Sequence, residues 1–236
     1  MGDQSFGIDS SVLEGIASEI SSVCKSGVQV GIVVGGGNIF RGLQSHNLGV
    51  GRVVGDHMGM LATTINALAL GEALQRNGSQ ARVMSAIDMI KIAEPYIRGR
   101  AISHLSKDRV VIFAAGTGNP YFTTDTAAAL RAMEIDAEVL LKATKVDRVY
   151  DADPATEQNP QPFARLTYHE VLDRNLQVMD LTAVSLAMGQ GLPIIVFNLR
   201  KQGNIARVVS GEEVGTLISD NSSKSSGKNS GAWSRG

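Results

Sequence analysis

The sequence predicts an α/β fold, a three-layer α/β/α sandwich in which helices cover both faces of a mostly parallel sheet. Short apolar runs typical of buried strands alternate along the chain with longer segments of helical periodicity. Glycine-rich loops directly follow two of these runs, beginning at Gly35 and Gly116. Ligands of such sheets bind beyond the carboxyl ends of the strands, so these loops are candidate binding positions.

The first predicted elements are a helix, a strand and a second helix. Asp9 is an N-cap candidate for a helix that Gly27 ends, and the β-branched run 28–34 predicts a strand. Asp56 is predicted to open a second helix that reaches Arg76. Asp56 can serve as the cap of that helix, or it can also accept a hydrogen bond from a ligand hydroxyl such as that of a ribose.

Four more strands and two clear helices follow. The predicted strands are 81–85, 109–115, 138–143 and 193–199, and the helices are 126–133 and 181–188. Residues 220–236 are rich in serine, glycine, asparagine and lysine, too polar to fold alone, which predicts a disordered tail. We therefore expect one folded domain over residues 1–219.

Composition excludes several classes of function. The net charge of −1 gives no electrostatic basis for binding nucleic acid or an anionic membrane. With Cys24 as the only cysteine, neither an intrachain disulfide nor a multi-cysteine zinc site can form. The sequence has no run of bilayer length and no signal-peptide pattern, so we expect a cytoplasmic protein.

The loop from Gly35 to Gly42 contains three consecutive glycines and then Arg41. Glycines allow backbone N–H groups to close on a bulky anion, and a guanidinium is a planar donor suited to phosphate oxygens. A tight turn with an exposed arginine is the alternative interpretation.

The second glycine loop, Gly116 to Asp125, lies between a predicted strand and a helix. Thr123, Thr124 or Asp125 can cap that helix, whose N-terminus offers free N–H groups and the positive end of a dipole. The loop is either a capped turn or a second anion site. Two such loops favour a ligand with several phosphates.

A third polar cluster, 143–154, follows the predicted strand 138–143. Thr144 could bond a base edge, Tyr150 could stack on the base, and Asp153 could accept from a sugar hydroxyl. A polar loop ended by Pro154 is the alternative. Common nucleotide and hydrolase signatures are absent, because no G-x-x-x-x-G-K-[ST] or G-x-S-x-G occurs, and Phe40 and Tyr121 stand at the third-glycine position of G-x-G-x-x-G.

Four stretches together resemble the bacterial-type UMP kinases of the amino acid kinase superfamily. They are VGGGNIFRG (34–42), GDHMGMLAT (55–63), GTGNPYFTTDTA (116–127) and ATKVD (143–147), in the order of that family. The resemblance covers about residues 2–219. It implies transfer of the ATP γ-phosphoryl group to UMP, giving UDP and ADP with Mg²⁺, in pyrimidine nucleotide biosynthesis.

The resemblance also implies roles for individual residues. It assigns UMP to Gly36, Asp56, Thr117, Gly118, Asn119, Pro120, Tyr121, Phe122, Thr123 and Thr124, and ATP to Gly37, Arg41, Thr144, Tyr150 and Asp153. Arg41 and Asp125 are the implied catalytic residues, although Asp125 and Asp180 could equally organise the fold. No metal-ligating residue is implied.

The same resemblance implies a homohexamer with GTP and UTP as effectors. The implied effector region is Gly2, Asp3, Gln4, Ser5, Phe6 and Gly7. The family opens with a strand ending in a Lys-x-Ser-Gly turn, whereas this sequence begins at the following loop. Two accounts of this difference are open: the true start lies upstream of Met1, which we favour, or the chain is a catalytically impaired kinase. We expect the chain as written to express poorly and to have little or no kinase activity.

Two other functions stay open at this point. One is a nucleotide-binding or storage protein without turnover, as in molybdenum storage proteins, which resemble the same superfamily. The other is a related kinase acting on a carboxylate or carbamate. An intact Gly116 to Thr126 segment favours the UMP kinase interpretation over the storage protein. A kinase of small acids would not need Asp56 in a ribose-binding role.

Overall fold

The structure is a computed structural model that describes residues 6–40, 49–152, 157 and 159–220. The chain divides into two compact units, Met1–Asp136 and Ala137–Gly236. Several positions that the sequence analysis singled out lie outside the described residues. They are Arg41, Asp153, Gly2, Asp3, Gln4, Ser5 and the predicted tail beyond Asp220. In the part that is described, no helix is long and apolar enough to cross a membrane.

The first unit is built on a four-stranded sheet of order β1-β4-β2-β3 whose pairings are all parallel. Its strands are β1 (Gly31–Val33), β2 (Ala81–Ser85), β3 (Glu94–Pro95) and β4 (Val110–Ala114). Its helices are α1 (Ser10–Lys25), α2 (Arg52–Arg76), α3 (Arg98–Leu105) and α4 (Thr124–Glu134).

Helices cover both faces of this sheet because its side chains alternate between them. On one face, a Cβ at Gly71 of α2 would lie 3.2 Å from Val83 and 3.6 Å from Ile112, so α2 packs closely there. On the other face, Met84 and Phe113 form a buried cluster with Leu105 of α3. This confirms the predicted layering for the first unit.

The second unit contains another four-stranded sheet, of order β5-β9-β10-β8, and a short hairpin. Its strands are β5 (Leu140–Thr144), β6 (Val149–Tyr150), β7 (Pro162–Phe163), β8 (Arg165–Leu166), β9 (Ile194–Asn198) and β10 (Thr216–Ile218). Its helices are α5 (Tyr168–Asp173), α6 (Leu181–Gln190) and α7 (Asn204–Val209). β10 runs antiparallel to β9 and parallel to β8.

Most predicted elements are confirmed with small shifts at their ends. β2 has the predicted bounds, and Asp9 caps α1 by accepting hydrogen bonds from the backbone N–H groups of Ser11 and Val12. The prediction that Asp56 opens the second helix is wrong. α2 begins at Arg52, with Gly51 as its N-cap, so Asp56 lies within the helix. β1 is shorter than the predicted run 28–34.

Candidate active site

The first glycine loop follows β1 and lies directly against α2. A Cβ at Gly36 would come within 2.8 Å of both the Ala62 Cβ and the Gly59 carbonyl oxygen, and within 3.0 Å of the Thr63 nitrogen. Real Cβ atoms essentially never approach that closely, so only glycine fits here. The loop backbone therefore approaches the helix as the glycine-rich sequence predicts.

Two asparagines fasten this loop in place. The Asn66 amide on α2 donates to the Gly35 carbonyl at 2.7 Å and to the Asn38 side-chain oxygen at 2.6 Å. The Asn38 amide in turn donates to the Asn66 side-chain oxygen at 3.0 Å and to the Gly7 carbonyl at 2.9 Å. Because each amide bonds the other and a backbone carbonyl, the loop conformation is fixed independently of any ligand.

The second glycine loop leaves β4 through a run of left-handed residues. Ala115, Gly116, Gly118 and Tyr121 have φ angles of 62°, 59°, 80° and 73°. Such angles cost roughly 1–2 kcal/mol for each residue that has a Cβ, so Ala115 and Tyr121 must be held by other contacts. The Ala115 N–H donates to the Thr63 hydroxyl of α2 at 2.8 Å.

Asp56 holds Tyr121 from the same helix. Its Oδ2 accepts a 2.8 Å hydrogen bond from the Tyr121 N–H, and both carboxylate oxygens accept from Arg52 Nε, at 2.9 and 2.8 Å. The Arg52 guanidinium lies 5.6 Å from the centroid of the Tyr121 ring. Carboxylate oxygens have two acceptor positions each, so Asp56 retains capacity for a further donor such as a ligand hydroxyl.

Asp56 is ionised in this setting. Partial burial raises the pKa of its carboxyl, but the hydrogen bonds from the Tyr121 backbone and from Arg52 outweigh burial and bring the pKa below the ordinary 3.8. The stability that this carboxylate contributes is therefore present above pH 3.8 and is lost as the pH falls through its lower folded value.

The loop ends at α4, and Thr123 is its cap. The Thr123 hydroxyl accepts from the backbone N–H groups of Asp125 and Thr126, both at 3.1 Å. Of the three cap candidates in the sequence, Thr123 is thus the one used, and α4 begins at Thr124. Asp125 lies in the first helical turn, where a carboxylate favours the positive end of the helix dipole.

Within the second unit, Thr144 closes β5 and Tyr150 closes β6. The Thr144 hydroxyl bonds backbone carbonyl oxygens, those of Val146 at 2.8 Å and Phe197 at 3.1 Å. Asp147 accepts from Asn198 at 2.9 Å and from the Lys201 ammonium at 2.8 Å. Asp180 caps α6 by accepting from the Ala183 N–H at 2.9 Å, which accounts for its place in the fold.

In the first unit, the structure brings the predicted UMP residues of two distant loops onto one helix. Gly36 packs on the middle of α2, Asp56 bonds Tyr121, and a Cβ at Gly35 would lie 3.8 Å from the Thr124 hydroxyl. Tyr121 and Phe122 are exposed at the surface of this region, at 66% and 53%.

Three residues that hold this arrangement, Arg52, Thr63 and Asn66, are not predicted from the sequence. Arg52 and Asp56 had a local signal, because oppositely charged residues four apart on a helix are neighbours. Thr63 and Asn66 bond backbone groups more than 30 residues away, and no local pattern indicates such partners.

The chain is similar to known proteins of one family. The model of the amino acid kinase family matches residues 1–198. The crystal structure of a UMP kinase from Bacillus anthracis is similar at 41% sequence identity with a TM-score of 0.91, covering 94% of this chain and 91% of that one.

Two further solved structures are similar. The UMP kinase of Ureaplasma parvum has 37% identity and a TM-score of 0.85, over 92% of this chain and 94% of that one. The uridylate kinase of Archaeoglobus fulgidus has 31% identity and a TM-score of 0.72, over 89% and 94%.

Proposed function

We propose a reaction for this chain on the premise that it belongs to the amino acid kinase family and, within it, resembles UMP kinases over nearly its whole length. The reaction is transfer of the γ-phosphoryl group of ATP to UMP, giving UDP and ADP. The observation that carries it is the pair of glycine loops held on α2, one by Gly36 and the other by Asp56.

The acceptor nucleotide is assigned to the first unit. UMP is bound by Gly36, Asp56, Thr117, Gly118, Asn119, Pro120, Tyr121, Phe122, Thr123 and Thr124. The hydrogen bonds that hold both loops in place without a ligand support this assignment of UMP. Phosphoryl transfer depends on positioning and charge stabilisation far more than on covalent help from the protein. Asp56 is the acceptor for a ribose hydroxyl, and Tyr121 and Phe122 offer exposed aromatic surface to a base.

The donor nucleotide is assigned to Gly37, Arg41, Thr144, Tyr150 and Asp153, with Arg41 as the group that stabilises charge on the transferring phosphoryl. Mg²⁺ would neutralise the phosphate charge of ATP when bound. The described residues contain no cluster of three metal-ligating side chains. Mg²⁺ is usually held by substrate phosphates and one or two carboxylates.

A storage or binding role without turnover is not favoured. The solved structures similar to this chain are UMP and uridylate kinases. The second glycine loop, which a storage protein would have no reason to keep, is hydrogen-bonded to Thr63 and Asp56 of α2.

The test combines binding with turnover. Thermal unfolding should shift upward selectively with UMP, but not with CMP, glutamate derivatives or molybdate. ADP release in the presence of ATP and Mg²⁺ should then depend on UMP. A shift with glutamate or carbamate alone would move the assignment to a small-acid kinase, and a chain that ignores uridine nucleotides would contradict the proposal.

We further propose that the chain assembles as a homohexamer, with α2 at one of its interfaces. Val54, Leu61, Ile65 and Leu68 lie at helical spacing on one side of α2 and are 54%, 52%, 49% and 38% exposed. A contiguous apolar stripe of this kind is costly in water and typical of a protein interface. Ile90 and Ile92 line one cavity together with Leu68 and extend the stripe, since they are 76% and 60% exposed.

Charge placed in this stripe should weaken the assembly. The double variant L61E/I65E is expected to run as a smaller species than the wild type by light scattering after size-exclusion chromatography, because unpaired carboxylates would be buried in the interface. S18E, which adds a negative charge to an exposed position of α1, is the control. An unchanged mass for L61E/I65E would remove α2 from the interface.

GTP and UTP are proposed as effectors, with the region from Gly2 to Gly7 as the responding segment. The support is a direct connection to the first glycine loop. The Gly7 N–H donates to the Asn38 carbonyl at 2.8 Å, and the Asn38 amide returns a bond to the Gly7 carbonyl at 2.9 Å. A change in this segment would therefore be felt at the loop that carries Gly36.

We also propose a cytoplasmic location. The reaction consumes ATP and feeds nucleotide synthesis, which places the enzyme with those pools. Fractionation of the source cells, with antibody detection of the chain, tests this; recovery with membranes would contradict it.

A further inference from the structure

A buried arginine lies behind the second glycine loop. Arg131, in the last turns of α4, is 5% exposed. A guanidinium stays charged at every accessible pH, so burying it is unfavourable unless its donors are satisfied and its charge is compensated. The groups that bond the Arg131 guanidinium therefore indicate the role of this residue.

Glu134 and Tyr96 hold the guanidinium on two sides. Arg131 Nη1 donates to Glu134 Oε2 at 2.6 Å, and the guanidinium carbon lies 4.0 Å from the centroid of the Tyr96 ring. The Tyr96 hydroxyl donates to the same Glu134 oxygen at 2.6 Å. Burial, together with Glu134, raises the pKa of Tyr96 to about 12, so this hydroxyl remains a donor.

The remaining arm of the fork reaches the second glycine loop. Arg131 Nη2 donates to the Gly116 carbonyl at 3.2 Å. In a trans peptide the carbonyl and the following N–H point in opposite directions. Fixing the Gly116 carbonyl toward Arg131 therefore also fixes the Thr117 N–H, which must point away from the buried arginine. Thr117 is one of the residues assigned to UMP.

The hydrogen bond from Arg131 acts at a point where the loop backbone could adopt several conformations. Ala115 and Gly116 are consecutive left-handed residues, with φ angles of 62° and 59°. Glycine tolerates many other conformations at this point, so its carbonyl needs an external partner to select one. The Thr63 hydroxyl fixes the preceding N–H of Ala115, and Arg131 fixes the following carbonyl.

We propose that Arg131, oriented by Glu134 and Tyr96, is a positioning residue for UMP. It sets the plane of the Gly116–Thr117 peptide and so aims the Thr117 N–H at the acceptor nucleotide. The substrate in this statement rests on the proposed function, whereas the ordering of the loop does not.

The variant R131K tests the proposal. Lysine keeps the charge beside Glu134 but lacks the planar fork that bonds Glu134 and Gly116 together while stacking on Tyr96. The KM for UMP is expected to rise about tenfold, since misplacing a binding group by a fraction of an ångström is costly. The KM for ATP should stay unchanged. Y96F, which keeps the ring and removes only its bond to Glu134, should have a smaller effect in the same direction.

Arg98 supplies the matched control. Arg98 donates to the Glu134 carbonyl and to the Asp136 carboxylate, at the same end of α4. The hydrogen bond to the Gly116 carbonyl of the loop comes from Arg131. R98K should leave the KM for UMP unchanged. Hydrogen–deuterium exchange of the peptide covering 115–121 is measured without any nucleotide. Under this condition it should accelerate in R131K but not in R98K.

The outcomes separate the two proposals. If the wild type turns over UMP and R131K exchanges faster but keeps its KM for UMP, or loses affinity for ATP equally, the positioning role is wrong and the function stands. If the wild type neither binds nor phosphorylates UMP, the function falls and the UMP part of this proposal with it. Unchanged exchange in R131K overturns the loop-ordering role whatever the substrate.

Discussion

Replacement of Gly36 by alanine is expected to lower kcat/KM for UMP about a hundredfold, the size of effect that a displacement of about 1 Å produces at a site of this kind. The new methyl group would meet the Ala62 Cβ and the Gly59 carbonyl oxygen at 2.8 Å. Two of the three close neighbours, the Gly59 oxygen and the Thr63 nitrogen, are backbone atoms of α2, so the loop must move away from the helix. Overpacking of this kind also costs about 1–3 kcal/mol of unfolding free energy.

Two variants sharpen this experiment. Gly35 is the neighbouring glycine of the same loop, and its Cβ would meet only the Thr124 hydroxyl, at an ordinary 3.8 Å. G35A should therefore keep the wild-type unfolding free energy in a urea titration. The double variant G36A/A62G removes one close contact but leaves the two backbone contacts, so it should recover only part of the loss. Full activity in G36A would show that the loop need not approach α2.

Replacement of Asp56 by asparagine is the second change with a large expected effect. Asparagine keeps the shape but loses the negative charge that attracts Arg52 and strengthens the bond from the Tyr121 N–H. Hydrogen bonds to charged groups contribute about 1.5–3 kcal/mol, and about 1.4 kcal/mol corresponds to tenfold in affinity. The KM for UMP should accordingly rise by roughly ten- to a hundredfold, while that for ATP is unchanged.

D136N is the control for the loss of one carboxylate. Asp136 is exposed in the same unit and pairs with Arg98 at 2.6 Å, so its replacement should leave the KM for UMP unaltered.

The pH dependence of stability offers a second readout for D56N. Since the pKa of Asp56 lies below 3.8 in the folded chain, the stability gap between wild type and D56N should persist at neutral pH. It should close as the pH falls below 3.8. Equal UMP affinities for D56N and wild type would contradict the acceptor role.

Much of the fold could be predicted from local patterns. The strand β2 and the N-cap Asp9 are confirmed, because five apolar-rich residues before a turn and a short polar side chain before a helical stripe have few competing structures. The second helix shows where local reading failed. The helix begins at Arg52, and its N-cap is Gly51, which has no side chain to accept a hydrogen bond. A capping side chain is the local signal for a helix start, so the pattern indicates Asp56, the nearest acidic residue, instead.

The site divides in the same way. Both glycine loops were predicted from sequence, since glycine runs after buried strands have a physical reason that does not depend on distant residues. The sequence alone allows Asp56 to be the cap of the second helix or also a ligand acceptor. The structure decides against the cap, because Asp56 lies inside α2 and bonds Tyr121, 65 residues away.

By itself the sequence determined the alternation of strands and helices, the positions of the glycine loops and the family resemblance. All of these depend on residue type at short separation along the chain. Only the tertiary structure decided which distant groups hold those loops, namely Asn66 at Gly35, Thr63 at Ala115 and Arg131 at Gly116. The physical reason is that a hydrogen bond joins atoms within about 3 Å, and one-dimensional order does not specify which residues the packed helices and sheet bring that close.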